Sequence, residues 1–257
     1  FLFGLAVLIF TGAATWKWGL WERKWDGKTR LTVVVIGADK ELSLWSYLPA
    51  KQIFTVLPIP RDLFLEAVNE MGKVRAGKLY DLGQIDKRGE ELVQFTLQKE
   101  LGVLIDGINL PPIDMIRFKI LKAVKKSETI NISGLSELIL ADGEKVYVLN
   151  YDSIDKTISK YFYDPVIENE QAKIIILNAT GKEGTGGKLA RILTNTGYSV
   201  SYIGNKEVFL SRTKITAPYN NTSVNKIRSL MRVNSVEIAP NSADITIEIG
   251  TDYLRYQ

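Results

Sequence analysis

Residues 173–190, KIIILNATGKEGTGGKLA, constrain the fold more than any other stretch: an apolar run with three consecutive isoleucines stops at Asn178 and gives way to a loop holding four glycines. The β-branched run favours a buried strand, and Gly181, Gly184, Gly186 and Gly187 accept backbone angles that other residues resist. From Lys188 the apolar positions Leu189, Ile192 and Leu193 recur at helical spacing and Gly197 closes the element, which reads as a short helix with one buried face. Glycine loops that lead into a helix also cradle phosphate. Here Gly187 stands where a Walker loop needs lysine and Leu189 follows Lys188. No acidic residue closes the next apolar run, 198–203, as a dinucleotide site requires. The loop reads as a structural turn.

The stretch ILNATGKEGTGGKLARILTNTGYSVSYIGN, a strand near 212–216 and the closing SADITIEIGTDY together resemble the C-terminal domain of LytR-CpsA-Psr cell-envelope proteins. The positions that carry the resemblance include Asn178, Gly181, Gly197, Tyr198, Asp244, Gly250, Asp252 and Tyr253. It implies a small α+β domain over 172–257. Helical spacing through Val224, Ile227 and Leu230, with Asn220, Asn221 or Thr222 as cap, adds a second helix. Strands at 236–238 and 244–249 complete a sheet expected to carry both helices on one face.

At the other end, residues 1–15, FLFGLAVLIFTGAAT, hold no charge, and WKWGLWERKW follows with Trp16, Trp18, Trp21 and Trp25 among charged residues. This reads as a single-pass membrane anchor over 1–25 with an aromatic belt at the headgroups. The runner-up is a cleaved signal peptide, because GAAT resembles a small-residue cleavage site. The basic residues after the run point by the positive-inside rule to a cytoplasmic C-terminal side, whereas the family resemblance implies domains outside the cytoplasmic membrane.

The remaining chain suffices for two small domains with cores. Cys and His are both absent, which excludes disulfides, thiolate metal sites and histidine general bases. Any chemistry rests on carboxylates, Lys, Arg, Tyr or a carboxylate-held hard cation. A net charge of +4 suits an anionic envelope surface as well as nucleic acid, and no aromatic-basic RNA motif accompanies it, so no nucleic-acid partner is expected.

The segment 30–163 reads as α/β. LTVVVIGADK is a buried strand with a polar loop at its carboxyl end, and 52–57 is a second strand broken by Pro58 and Pro60, which leaves Arg61 and Asp62 at its end. Lys73, Arg75 and Lys78 gather within six positions and repel unless an anion or carboxylates sit among them. Val93, Leu97 and Leu101 line one helix. Ile113, Ile116, Ile120 and Val124 line the buried stripe of another, whose Arg117, Lys119, Lys122, Lys125 and Lys126 face outward. A strand at 145–149 and a helix at 153–162 precede a polar linker, 164–171.

IGAD, IPRD, GKVRAGKLY and LQKELGVLID follow the order of motifs in the LytR-CpsA-Psr catalytic domain, which this segment resembles. The resemblance implies transfer of an envelope polymer from a polyprenyl-pyrophosphate carrier to peptidoglycan. Asp39 would help hold Mg²⁺, Arg61 would bind pyrophosphate, Asp62 would orient it, and Lys73, Arg75 and Lys78 would add positive charge. An Arg-Ser-Asp-Thr element expected after Asp39 is missing, and after Arg117 no arginine follows until Arg191. The resemblance therefore implies a shortened, degenerate domain. The expected function is non-catalytic binding of a cell-wall polymer or polyprenyl-phosphate lipid at the membrane. The alternative is a minimal Mg²⁺-dependent phosphotransferase, and a purely structural partner in an envelope complex is a third reading.

Overall fold

The LTVVVI run forms strand β1 (Leu31–Ile36), but it turns back at once into β2 (Leu42–Leu48) and then β3 (Ile53–Ile59), so this part of the sheet is antiparallel. The computed structural model describes residues 25–85, 87–108, 110, 112–240 and 244–257. Next come a ribbon of β4 (Phe64–Glu66) with β5 (Lys73–Arg75), and helices α1 (Ala76–Ile85), α2 (Gly89–Leu101) and α3 (Pro112–Val124). Then β6 (Lys126–Thr129) adds to the first sheet parallel to β3, giving the order β1-β2-β3-β6. A hairpin of β7 (Leu135–Ile139) and β8 (Lys145–Leu149), α4 (Tyr151–Tyr161) and a one-turn α5 (Pro165–Asn169) complete this half.

β2, the short strands β4, β5 and β6, β7 and helix α1 are absent from the sequence reading. In β2 both faces are apolar, and the alternation that marks a half-exposed strand is lost: Leu42 and Leu44 enter the main core while Trp45 and Tyr47 enter a second cluster on the opposite face. Pro58 does not end β3. It pairs with Ser43 of β2 on one side, while β6 on the other side reaches only Val56, so its missing N–H faces an open edge.

The second apolar face of this sheet is covered by α3 and Trp25. Phe118 of α3 is fully buried, with its ring centroid 4.9 Å from that of Phe54. Trp25 was expected at the headgroups, but it is a core residue, 6% exposed, stacked edge-on to Tyr47 and donating through Nε1 to the Thr29 carbonyl at 2.8 Å. Burial of a large ring with its one donor satisfied accounts for the difference. Trp16, Trp18, Trp21 and the anchor reading of 1–24 lie outside the described residues; among those described, no helix is long and apolar enough to cross a membrane.

The expected stripe on α3 is also turned over. Asp114 and Phe118 face the sheet, Ile113 is half-buried, and Ile116, Ile120 and Val124 face solvent. The aromatic pocket selects Phe118, and two of the cations expected outward pack inward on rings: Arg117 over Trp25 at 5.1 Å and Lys122 over Trp45 at 3.4 Å.

The C-terminal unit runs β9 (Lys173–Asn178), α6 (Thr185–Thr196), β10 (Ser199–Asn205), β11 (Lys214–Ala217), α7 (Thr222–Met231), β12 (Glu237–Ile238) and β13 (Ile245–Ile249). Its sheet order is β10-β9-β13-β11-β12, with β11 antiparallel to β13 and the other pairs parallel. The two crossovers, β9-α6-β10 and β11-α7-β12, step in opposite directions from strands that themselves run oppositely. Right-handed connection then puts both helices on one face. That face is the one lined by buried Ile174, Ile176, Ile215, Ile245 and Ile247, which share a core with Leu189, Leu193, Val224 and Ile227.

The segment expected as a polar linker is ordered instead. Asp164 is wholly buried; its carboxylate caps α5 by accepting from Val166 N at 3.1 Å and accepts from Arg30 N at 2.7 Å. Burial pushes the Asp164 carboxyl up against these donors, and it brings the Arg30 guanidinium down to about 10 despite the opposing pull of Asp164. A single hydrophobic core runs through both halves. Arg191 of α6 bridges them: its Nε reaches both Asp155 oxygens at 2.8 and 2.9 Å, and Nη1 and Nη2 donate to the Lys99 and Glu100 carbonyls, where α2 ends.

Candidate functional site

The turn after β1 is built by Gly37 N donating to the Glu41 carbonyl at 2.8 Å and Lys40 N to the Gly37 carbonyl at 3.0 Å. Lys40 takes a left-handed conformation, φ 59°, to close it. This holds Asp39 at the tip, where the Asp39 carbonyl accepts from Arg61 Nη1 at 3.1 Å. Arg61 reaches the turn because the strand's exit is pinned to α1: Gly77 N donates to the Arg61 carbonyl at 2.9 Å. Only glycine allows this approach comfortably, since a Cβ at 77 would lie 3.2 Å from Arg61 Cβ and 3.3 Å from its carbonyl oxygen.

Two sequence-selected residues thus meet, Asp39 and Arg61. Lys78 projects from the exposed side of α1, near Asp81, whose carboxylate binds Lys40 Nζ at 2.6 Å. Hydrogen bonding to Lys40 holds the Asp81 carboxyl below its ordinary range, although burial opposes this. Among the described residues Arg61 has no ion pair, and its guanidinium is exposed. The corner presents Arg61, Lys40 and Lys78 as cations against Asp39 and Asp81.

The other selected residues belong to other contacts. The Asp62 carbonyl accepts from Tyr147 N at 2.9 Å. Arg75 pairs with Glu144 in the turn of the β7–β8 hairpin, and that hydrogen bond, with the field of nearby Asp62, raises an already high guanidinium pKa. Lys73 lies opposite Glu66 on the β4–β5 ribbon. Lys73, Arg75 and Lys78 therefore do not form one cationic cluster, because a strand-to-helix transition at Ala76 separates them.

The sequence reading missed the groove beside this corner, of about 530 Å³. Val35, Ile36 and Ala38 of β1 and its turn, Trp45 of β2, Tyr80 of α1 and Met115 of α3 line it, with Lys40, Lys119 and the carboxylate of Glu90 as its charged lining. Its volume lies within the range of small-ligand sites. The signal available was the apolar character of both faces of β1 and β2. Among the described residues no group of three or more acidic side chains gathers to hold a metal. A cation at Asp39 would take its remaining oxygens from a bound phosphate and water.

The glycine-rich loop is a structural turn in the fold. Asn178 Oδ1 accepts from Thr180 N and Oγ1 at 3.1 and 2.7 Å, Asn178 Nδ2 donates to the Lys182 carbonyl at 2.9 Å, and the Phe209 ring covers Gly181. Gly184 caps α6, and Gly186 and Gly187 lie inside the helix. The closing motif is structural as well. Asp252 accepts from Thr213 N and Oγ1, and a Cβ at Gly250 would lie 2.4 Å from the Arg212 carbonyl carbon. A second cavity, about 500 Å³, lies at the seam of the two halves, but its Lys226 is already bound to Asp106 at 2.6 Å and its Arg232 to Glu91.

Residues 171–253 match the family described as LytR cell envelope-related transcriptional attenuator. The resemblance read from the C-terminal motifs is thus shown, and the match covers about a third of the chain. No curated protein sequence matches the chain. Among solved structures, the chain is similar to TagT of B. subtilis at 13% identity, over 53% of this chain and 91% of that one, with a TM-score of 0.41. It is also similar to YwtF (TagT), a LytR-CPS2A-psr family protein solved with bound octaprenyl pyrophosphate lipid, at 10% identity over 91% and 89% of the two chains, with a TM-score of 0.26. A third likeness is to Lmo1026 from Listeria monocytogenes, at 8% identity over 52% and 97%, with a TM-score of 0.30. Likenesses this distant leave the function to the residues of this chain.

Proposed function

We propose that the chain is a cell-envelope protein of LytR-CpsA-Psr type that binds the phosphate end of a polyprenyl-phosphate-type lipid, or of a polymer carried on one. The observation that carries this reading is the adjacency of a groove walled in part by apolar side chains to a corner that bears an exposed arginine with no ion pair among the described residues. Trp45, Tyr80 and Met115 offer surface for an isoprenoid chain, while Arg61, with Lys40 and Lys78, offers charge for its phosphates. The envelope-related family match at 171–253 supports the setting. Asp39 would supply one carboxylate to Mg²⁺, which when bound would neutralise phosphate charge.

Binding without transfer is the reading preferred here. Phosphoryl transfer proceeds mainly by charge neutralisation, and each lost stabilising group costs about 10² to 10³ in rate. Arg75 is engaged with Glu144 and Lys73 sits on a separate ribbon, so among the described residues Arg61 is the one arginine that reaches the Asp39 turn. The test is titration of the full chain with a polyprenyl pyrophosphate, with and without Mg²⁺, alongside an assay for phosphate release. Tight binding without release is expected. Release would establish the phosphotransferase alternative, and absence of binding would refute both in favour of a structural partner.

A further inference from the structure

The outward face of α3 does not resemble that of a solvated helix. Ile116, Ile120 and Val124, at positions i, i+4 and i+8, are 56%, 55% and 66% exposed, and Ala123 lies between them. Lys119 flanks this stripe, and Lys125 and Lys126 follow its end. Of the five cations in residues 112–126, Arg117 and Lys122 pack inward on rings, which leaves Lys119, Lys125 and Lys126 beside the exposed stripe. An apolar stripe with basic flanks, 13 residues long, has the composition of a helix that lies in a headgroup layer.

We propose that the exposed face of α3 rests on the surface of an anionic bilayer. Two further observations favour that occupant. The first is position. Trp25 N approaches the Asp114 carboxylate at 3.4 Å and Arg117 lies over the Trp25 ring, so the chain leaves toward its uncharged 1–15 run from the side of this helix. Nine residues, 16–24, separate that run from Trp25, a reach of at most about 32 Å. A bilayer that takes up the run holds α3 close to its surface. The second is charge. Residues 1–24 carry Lys17, Arg23 and Lys24 against Glu22, a net +2, so the chain's own N-terminal segment is repelled by Lys119, Lys125 and Lys126, which anionic lipid attracts. The inference stands apart from the lipid-binding reading of Arg61.

Because the chain has no cysteine, an Ala123→Cys variant carries one environment-sensitive fluorophore without further changes. The full chain so labelled is reconstituted on phosphatidylglycerol–phosphatidylcholine vesicles and on phosphatidylcholine alone, with Glu207→Cys as a label site on the C-terminal unit. On the anionic vesicles the label at 123 brightens about threefold and shifts to the blue, and high salt reverses most of the change. On neutral vesicles it stays at its aqueous value, as the label at 207 does on both. The doubly substituted Ile116→Glu/Ile120→Glu background, at positions already exposed, removes the response without changing the melting temperature. No response at 123 on vesicles that carry the chain overturns the proposal. So does a label already buried without lipid: dependence on protein concentration would assign the face to a second copy, and loss on deleting 1–24 would assign it to that segment.

Discussion

Replacing Arg191 by alanine tests whether the two halves form one cooperative structure. The guanidinium shares its Nε–H between both Asp155 oxygens, donates to the Lys99 and Glu100 carbonyls at 2.9 and 3.2 Å, and lies over the Tyr151 ring at 4.9 Å. Its side chain is 22% exposed and that of Asp155 31%, so the ion pair is discounted for solvent screening to about 1 kcal/mol. The two charge-assisted bonds to the carbonyls that end α2, with the favourable helix dipole there, add about 2 kcal/mol. A total near 3 kcal/mol corresponds to a fall in melting temperature of about 6–12 °C for a chain of this size. Scanning calorimetry is the assay. The account expects one transition in the parent chain, and in the Arg191→Ala chain a lower and broader one in which the C-terminal unit begins to melt apart. Arg191→Lys recovers less than half of the loss, because an ammonium cannot span the carboxylate and both carbonyls. Two separate transitions in the parent chain, or a change below about 2 °C in the variant, would refute the reasoning.

Asp164→Ala removes the α5 cap and the acceptor of Arg30 N from a wholly buried site, with an expected loss of about 3 kcal/mol in chemical denaturation. Phe118→Ala empties the space against Phe54 and costs about 3–4 kcal/mol by the same measurement. For Asp26, burial raises the carboxyl pKa, but the N–H groups of Lys28 and Thr29 and the Thr29 hydroxyl outweigh it, so the net shift is downward from 3.8. A depressed carboxyl contributes stability above its unfolded pKa and loses it as pH falls through the folded value. The stability difference between the parent chain and Asp26→Asn should therefore be constant near neutrality and shrink only below about pH 4.

The C-terminal unit was legible because its signals are local. The β-branched run of β9, the helical spacing from Leu189 to Leu193 and Asn221 as the α7 cap each act within a few residues, and the cap accepts from Val224 N at 2.9 Å as its position implies. The same holds for α2, where Val93, Leu97 and Leu101 are buried and Gly102 ends the helix in a left-handed conformation. The failures are all tertiary. On α3 periodicity located the apolar stripe but could not say which side the sheet would take, and the aromatic pocket of Phe54 took Phe118. Trp25 sits near charged residues in sequence yet in the core in space, and β2 was hidden because both of its faces are buried. At the candidate site, the turn and the strand end were readable as positions. Their meeting at Asp39 and Arg61, and the diversion of Arg75 to Glu144, depend on chain crossings that no spacing records.

The most direct measurement is the affinity of the full chain for a polyprenyl pyrophosphate, compared with Arg61→Ala and with Ala38→Trp, which places a ring at an exposed position in the groove wall. If the corner holds the phosphates and the groove the isoprenoid, each change weakens binding by about tenfold or more, as loss of a charge-assisted contact or of buried apolar surface requires. Unchanged affinity in both variants would contradict the assignment of this corner and groove as the binding site.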